Sequence, residues 1–386
     1  MAADKTFNVG IIGYGGHHEI LTCGPFVSSL SAKVFHIPFI KLTKGLNLYA
    51  IVQRKPSPTD SAPNDYPSLK HYTSIDPLLQ DPEVDLVVLS TPPNTHFSFA
   101  SQALEHGKHV LVEKPFVPTS SEAEKLAALA KEKGKVLCVY QNRRWDADFL
   151  TVKKLLAQNT LGRVYEFETH FDRYRADKPT GTWKGELTMA QGGGALYDLG
   201  THLIDQVFAL FGKPTAAYAK FVDQRQGKLV TGETPEEEPD SINAILSYAE
   251  TGLLVHVRIG VLSVESQQPR FWVRGSKGTY HKTGLDTQEP QLRSGSKAVT
   301  DPGFGVDTAA FNGRLSILKD DGSVDEKTYP NVEPETYLRF YELLAQSIAS
   351  GKEEDVPVPA SQSAEVLKII EAVKESAKTG NEVPLS

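Results

Sequence analysis

NVGIIGYG, residues 8–15, is an apolar run that ends in two closely spaced glycines, Gly13 and Gly15. A strand that closes in such a turn and gives way to a helix is the form of a dinucleotide-binding turn. The helical pattern resumes only at LSAKVFHIPFI, residues 30–40, after the interruption GHHEILTCGPFVSS at 16–29. If the interruption is looped out, GYG joins LSAKVFH and the stretch reads G-x-G-x-x-A. Ala32 is then the third small residue, which permits close packing of helix on strand. Gly13, Tyr14, Gly15, Ser31, Ala32 and Lys33 are therefore expected at the cofactor, with an insertion in the phosphate-binding turn.

The chain continues in alternation. LNLYAIV (46–52) is a second strand, closed by Gln53, Arg54 and Lys55 with no acidic residue. An acid here would hold the adenosine ribose and favour NAD, whereas a basic residue accommodates the extra phosphate of NADP. Arg54 thus favours NADP, although Arg54 and Lys55 suit a solvated strand end equally well. DLVVLS (85–90) is a buried strand followed by TPPNTH, with Thr91, Pro92, Asn94 and His96 beyond its carboxyl end, where open α/β sheets bind ligands. A plainer reading makes Asn94 or Thr95 the cap of a helix over 96–106. KHVLVEKP (108–115) brings Glu113 and Lys114 to another strand end, a position that suits chemistry and also an ordinary surface turn. The order strand, helix, strand implies a doubly wound parallel sheet over residues 1–144.

From Trp145 onward the pattern changes. A helix over 146–158 leads into longer alternating runs, VYEFETHFDRYR, AAYAKFVDQ, INAILSYAE, LLVHVRIGVL and RFWVRGSKGTYHK, which read as an open-faced, mostly antiparallel sheet. Residues 145–386 are thus expected to form an α+β domain for substrate and oligomerisation, ending in two helices stopped by Gly351 and Gly380. Within it, QGGGALYDLGTHLIDQ places Asp198 and His202 four apart on one helix face. A surface pair satisfies that spacing. An aspartate that fixes the tautomer of a general acid–base histidine satisfies it too.

Composition limits the alternatives. The 386 residues suit two domains, and a net charge of −7 argues against a nucleic-acid partner. No apolar run approaches membrane-spanning length, so a membrane partner is not expected. The two cysteines, Cys23 and Cys138, lack metal-ligand spacing, and no metal is expected. The opening MAADKTFNVG does not read as a secretory signal, and a cytoplasmic location is the expectation.

Together, GIIGYG with LSAKVFHIPFI, STPPNTH, VLVEKPF, QNRRWDADFL, GGGALYDLGTHLIDQ and the helix entry PVPASQ resemble the Gfo/Idh/MocA oxidoreductase family over nearly the whole chain. NRRWDADF and HFDRYR are most similar to the branch containing the NADP-dependent scyllo-inositol dehydrogenases. The resemblance implies a Rossmann domain followed by a sheet whose outer face makes homo-oligomer contacts. It implies an NAD(P)-dependent dehydrogenase or reductase, NADP preferred over NAD, acting on a polyol, inositol or cyclic sugar. Lys114, Asp198 and His202 would be its catalytic set, with His202 taking the proton during oxidation. Thr91, Pro92, Asn94, His96 and Glu113 would line the cofactor, and Arg144, Trp145, Arg173 and Trp183 the substrate. The interruption at 16–29 motivates an alternative, a non-catalytic nucleotide- or sugar-sensing regulatory protein of the same fold with impaired cofactor binding.

Overall fold

The computed structural model describes residues 5–15, 31–178, 180 and 183–385, the side chain of Trp183 excepted. The insertion at 16–29, with Cys23 and the His17–His18 pair, lies outside the described residues.

The first sheet is built from β1 (Phe7–Ile12), β2 (Leu46–Val52), β3 (Lys70–Tyr72), β4 (Leu86–Leu89), β5 (His109–Val112) and β6 (Leu137–Val139). Every pairing is parallel and the spatial order is β3-β2-β1-β4-β5-β6. This is the dinucleotide-binding order, in which the chain reverses direction across the sheet between β1 and β4 and leaves a crevice at their carboxyl ends. All four residues of β4 are buried because helices cover both faces, which is why its sequence is continuously apolar rather than alternating. The helix Ser120–Lys133 on one face is set by its ends. The Thr119 side chain accepts from the Glu122 amide, and Gly134 closes the helix at φ 61°, a conformation that strains residues carrying a Cβ.

The second sheet has ten strands: β7 (Val164–Asp172), β8 (Ala216–Asp223), β9 (Lys228–Val230), β10 (Ser241–Tyr248), β11 (Leu253–Gly260), β12 (Pro269–Gly275), β13 (Gly278–Thr283), β14 (Gly313–Leu318), β15 (Val324–Tyr329) and β16 (Val383–Pro384). Its order is β15-β14-β13-β12-β7-β11-β10-β8-β16, with β9 on β8. The sheet is mixed: β7 and β11 run parallel while its other pairings are antiparallel. On its inner face Phe167, Phe171, Val255, Val257, Ile259 and Phe271 are buried. The outer face carries Glu166, Glu168, His256, Arg258 and Trp272, following the two-residue period of the strands.

The last long helix, Ala360–Thr379, joins the two sheets. It packs on helix Ser120–Lys133 and on β8, and the residues before it add a bridge to the edge of the first sheet, where the Val139 amide donates to Val358 O at 3.0 Å. The carboxyl edge of the first sheet is thereby held against one end of the second.

Among the described residues no helix is long and apolar enough to cross a membrane, and no group of His, Cys, Asp and Glu side chains is arranged to hold a metal ion.

Candidate active site

Three turns meet at the carboxyl edge of the parallel sheet. The first follows β1. Gly13 adopts φ 105°, and a Cβ built there would lie 2.1 Å from the Ser90 carbonyl oxygen, so the turn packs backbone to backbone against the end of β4 as only glycine permits. The turn thus lies at the switch point of the sheet, between β1 and β4, where this strand order leaves the crevice that fits a nicotinamide dinucleotide. Gly15, at φ 94°, lies beside the Asp60 carboxylate.

The side chains expected at this turn are held by protein partners. Tyr14 is buried and donates to Asp65 Oδ2 at 2.5 Å, while Lys33 stands over the Tyr14 ring and pairs with Asp60 at 2.7 Å and Asp65 at 3.2 Å. Ala32 is buried at the start of a wide-turned helix, Ala32–His36, that runs into the α-helix Ile37–Leu42. Ser31 donates to Glu113 Oε1. Arg54 is exposed immediately beyond β2, whereas Gln53 turns inward and bonds Asp60 O and the Ala62 amide. That turn brings an acid, Asp60, beside Gly15, although the sequence places none at the strand end.

The second turn follows β4. Helix Pro93–Glu105 starts earlier than its sequence pattern indicates, because Pro93 fits the first helical position. Neither Asn94 nor Thr95 caps it: Asn94 is exposed, and the Thr95 hydroxyl donates back to Pro92 O at 2.7 Å and shares a bond with Thr91 Oγ1. His96 is also placed differently from expectation. It is wholly buried, with Nδ1 facing the carbonyls of Pro115 and Phe116 at 3.0 and 2.9 Å and Nε2 facing Thr91 O at 2.8 Å. Burial, opposed by those carbonyls, holds its pKa below the usual value. His96 therefore braces the second turn against the third rather than lining the crevice.

The third turn, after β5, carries Glu113 and Lys114. Glu113 accepts from His36 Nε2 at 3.0 Å and from the Lys114 amide at 3.0 Å. Burial works to raise its pKa, but His36 and Ser31 hold it below the usual range. Lys114 reaches away, to Asp198 O at 2.8 Å and Asp198 Oδ1 at 3.1 Å.

Asp198 sits in a wide turn, Leu196–Gly200, at the head of the helix Thr201–Phe211, where Gly192, Gly193 and Gly194 bring the chain in close to the third turn. Its carboxylate also meets Lys184 Nζ at 3.1 Å and the Arg173 guanidinium at 3.6 Å. Burial alone would raise its pKa; Lys184, Lys114 and Arg173 instead hold it well below the ordinary carboxylate range. With three cations around it, the carboxylate makes no hydrogen bond to His202 among the described residues. The expected Asp198–His202 couple is thus not formed, because a neutral imidazole does not compete with ammonium and guanidinium groups. His202 Nδ1 is buried without a partner. Burial, then the nearby Lys114 and Arg143, keep His202 neutral by pushing its pKa well below the usual value. Lys114 is itself lowered by burial, against the pull of Asp198.

Beside these groups lies an open cleft lined in part by Pro115, Arg173, Gly192–194, Asp198 and Val261. Arg173 belongs to it. Arg144 and Trp145 do not: Arg144 is bound through two nitrogens to Asp205 at 2.8 and 2.7 Å and through a third to Gln362, and Trp145 is buried edge-on against Phe340. Trp183 opens the short helix Trp183–Glu186, next to Lys184. Lys184 and Arg175 line the cleft as well, beyond the residues to which the sequence pattern points. The Arg-x-Arg spacing of 173 and 175 at the end of a strand, where alternate residues share a face, was the available signal. Arg143, whose charge acts on His202, pairs with Asp146 and Glu289, and nothing in the sequence sets it apart from its neighbour Arg144.

A model described as "Oxidoreductase family, NAD-binding Rossmann fold" matches residues 7–141, and one described as "Oxidoreductase family, C-terminal alpha/beta domain" matches residues 153–385. The chain is 39% identical to the uncharacterized oxidoreductase C115.03 of Schizosaccharomyces pombe, covering 93% of this chain and 97% of that protein. It is 35% identical to scyllo-inositol 2-dehydrogenase (NADP(+)) IolW of Bacillus subtilis, over 97% of this chain and 94% of the relative. Among solved structures, an oxidoreductase from Bacillus cereus superposes with a TM-score of 0.82 at 29% identity, covering 99% of both chains.

Proposed function

The chain belongs to the Gfo/Idh/MocA oxidoreductase family, and from that premise we propose that it transfers hydride between NADP and a secondary alcohol or carbonyl of a polyol, inositol or cyclic sugar. It is a dehydrogenase-type oxidoreductase with a nicotinamide-binding domain. Residues 1–144 would hold the cofactor and 145–386 the substrate. The observation that carries the reading is the Lys114–Asp198 pair, at 3.1 Å, where the third turn of the first sheet meets the helical segment that carries His202.

When bound, the nicotinamide supplies the hydride acceptor. The residues of the chain then have separate tasks. A neutral His202 is able to take the hydroxyl proton as the alcohol is oxidised. The Lys114 ammonium, beside the same oxygen, stabilises the developing negative charge. Asp198 holds Lys114 by two contacts, at 2.8 and 3.1 Å, and is an anchor for the lysine rather than an orienting partner for the histidine. Gly13 supplies the close backbone approach, and Glu113 fixes the third turn to Ser31 and His36.

NADP preference is supported by Arg54 at the end of β2 and by the NADP-dependent relative; Asp60 beside Gly15 favours the unphosphorylated ribose and sets a limit on that preference. Homo-oligomerisation through the outer face of the second sheet is supported by Trp272 and Leu254, which are 40% and 45% exposed on it. Purified protein mixed with NADP and a panel of inositols and aldoses tests the reading. Formation of reduced cofactor with at least one of them is the expected result, and none with any contradicts it. Cofactor binding without turnover would favour the regulatory alternative.

A further inference from the structure

The acidic run GETPEEEPD, residues 232–240, has the composition of a solvated loop, and Glu233 and Glu236 are exposed as such a loop requires. Its end is different. Pro239 and Asp240 are buried, and Asp240 is fixed from several sides. Its carboxylate accepts from the Gln224 amide at 2.7 Å and from Arg225 Nη1 at 2.8 Å, and its own amide donates to Val222 O at 3.1 Å. Glu238, half-buried just ahead of this anchor, lines the same cleft as Asp198, Arg173 and Pro115. Its carboxyl group rests on the glycine run. A Cβ built on Gly194 would stand 1.9 Å from Glu238 Oε1, so glycine there, at φ 77°, leaves the room that the carboxyl occupies. Gly194 lies four residues before Asp198, whose carboxylate holds Lys114 at 3.1 Å. One short segment thus joins the Glu238 carboxyl to the Lys114–Asp198 pair.

Glu238 also differs from the other acids of the cleft in what it touches. Asp198 is met by Lys114, Lys184 and Arg173, and Asp240 by Arg225. Glu238 makes no hydrogen bond or ion pair among the described residues. Burial raises its pKa, and the charge of Lys178, which pairs with Asp223 at 3.9 Å, offsets this only in part. A half-buried carboxyl without a donor costs free energy that a ligand hydroxyl recovers. A purely structural role would call for a protein donor, and Asp240 already anchors this end of the loop.

We propose that Glu238 is a specificity-determining residue that binds a second hydroxyl of the polyol, cyclitol or sugar while the reacting hydroxyl faces Lys114 and His202. This deepens the dehydrogenase reading and rests on it for the identity of the cleft. A carboxylate only accepts hydrogen bonds, through two oxygens, so it suits neighbouring hydroxyls of a polyhydroxylated ring and disfavours an anionic substituent at that place.

The test uses the full chain saturated with reduced NADP, so that an alcohol ligand forms a dead-end complex whose affinity is read by calorimetry without turnover. Glucose and myo-inositol, each with its monodeoxy analogues, are titrated into the parent, Glu238→Gln and Glu238→Ala. At least one of the two parent polyols should bind about tenfold less tightly to Glu238→Gln, and as weakly or more weakly to Glu238→Ala. The deoxy analogue that lacks the hydroxyl held by Glu238 should bind the parent and both variants alike. That pattern separates a contact from a structural role, which would weaken every ligand equally. Affinity for reduced NADP and the denaturant midpoint should stay at the parent values, and in steady-state oxidation the loss should fall on KM more than on kcat. Equal affinity of the parent and Glu238→Ala for both polyols, or the same loss for every deoxy analogue, would overturn the proposal. Turnover with KM unchanged in both variants removes this inference and leaves the dehydrogenase reading standing. Weakened binding in the variants, without hydride transfer by the parent on any polyol, does the reverse.

Discussion

Asp198 and Asp205 stand seven residues apart on one continuous helical segment, and their surroundings are opposites. Asp205 is buried and faces a single arginine, Arg144, which grips both of its oxygens in a bidentate pair. The same one-to-one matching recurs in Arg270 with Asp148, both fully buried, at 2.8 Å. Asp198 opens to a cleft and is shared by Lys114, Lys184 and Arg173. Matched charge locks a fold, whereas cations in excess of their carboxylate keep contact capacity for a substrate. By this criterion Arg144 is structural and Lys114 is the group proposed for the chemistry, even though both read as site residues in the sequence.

The largest effect expected from this contrast is kinetic. Lys114→Ala should lower kcat/KM by about 100- to 10,000-fold, as loss of an oxyanion-stabilising group does, while the denaturant midpoint stays near the parent because one of three crowded cations has left. Steady-state kinetics together with urea unfolding check both halves. Arg144→Ala should show the opposite pattern: about 3–5 kcal/mol of stability lost from an unpaired buried carboxylate, read by denaturant titration, with little change in kcat for the folded fraction. If Arg144→Ala abolished turnover without loss of stability, the distinction would fail.

Gly13→Ala comes next. With φ at 105° and a new Cβ 2.1 Å from Ser90 O, the turn must shift, and cofactor affinity measured by fluorescence titration should fall about tenfold or more at a strain of about 1–2 kcal/mol.

Acidity gives a smaller signal of defined sign. His202 has its folded pKa well below 6.5, so between those values the unfolded chain binds the proton and the native chain does not. Its contribution to stability is complete above pH 6.5 and is lost as pH falls toward the folded value; His202→Gln should flatten that part of the stability–pH curve. The acid limb of kcat/KM for alcohol oxidation should likewise lie below 6.5. The smallest effect is expected at Arg54→Ala, where an exposed contact to the cofactor phosphate should change the NADPH-to-NADH affinity ratio by about threefold to tenfold.

Much of this architecture was legible because periodicity reports burial. DLVVLS announces a strand covered on both faces, and the three turns at the sheet edge follow from the βα alternation. The rest depends on competition between partners, which spacing alone does not express. A four-residue interval puts Asp198 and His202 on one face, but the choice of partner was made by Lys114, eighty-four positions away, and by Lys184. His96 shows the same limit, since a histidine just beyond a strand end fits a ligand contact as well as the bonds to neighbouring carbonyls that it makes. Arg143 and Arg144 are adjacent and alike, and both are spent on structure, Arg143 with Asp146 and Glu289 and Arg144 with Asp205. Asp60 reaches Gly15 through a turn held by Gln53, a tertiary contact with no local signature.

The central claim is that Lys114 and His202 perform hydride-transfer chemistry that the rest of the site positions. It is tested most directly by following formation of reduced NADP by the full chain with a polyol or sugar substrate, for the parent and for Lys114→Ala, alongside a cofactor titration of each. Turnover in the parent, its loss in the variant and equal cofactor affinity in both are expected. A variant that turns over as fast as the parent, or a parent that binds cofactor and oxidises nothing, would contradict the claim.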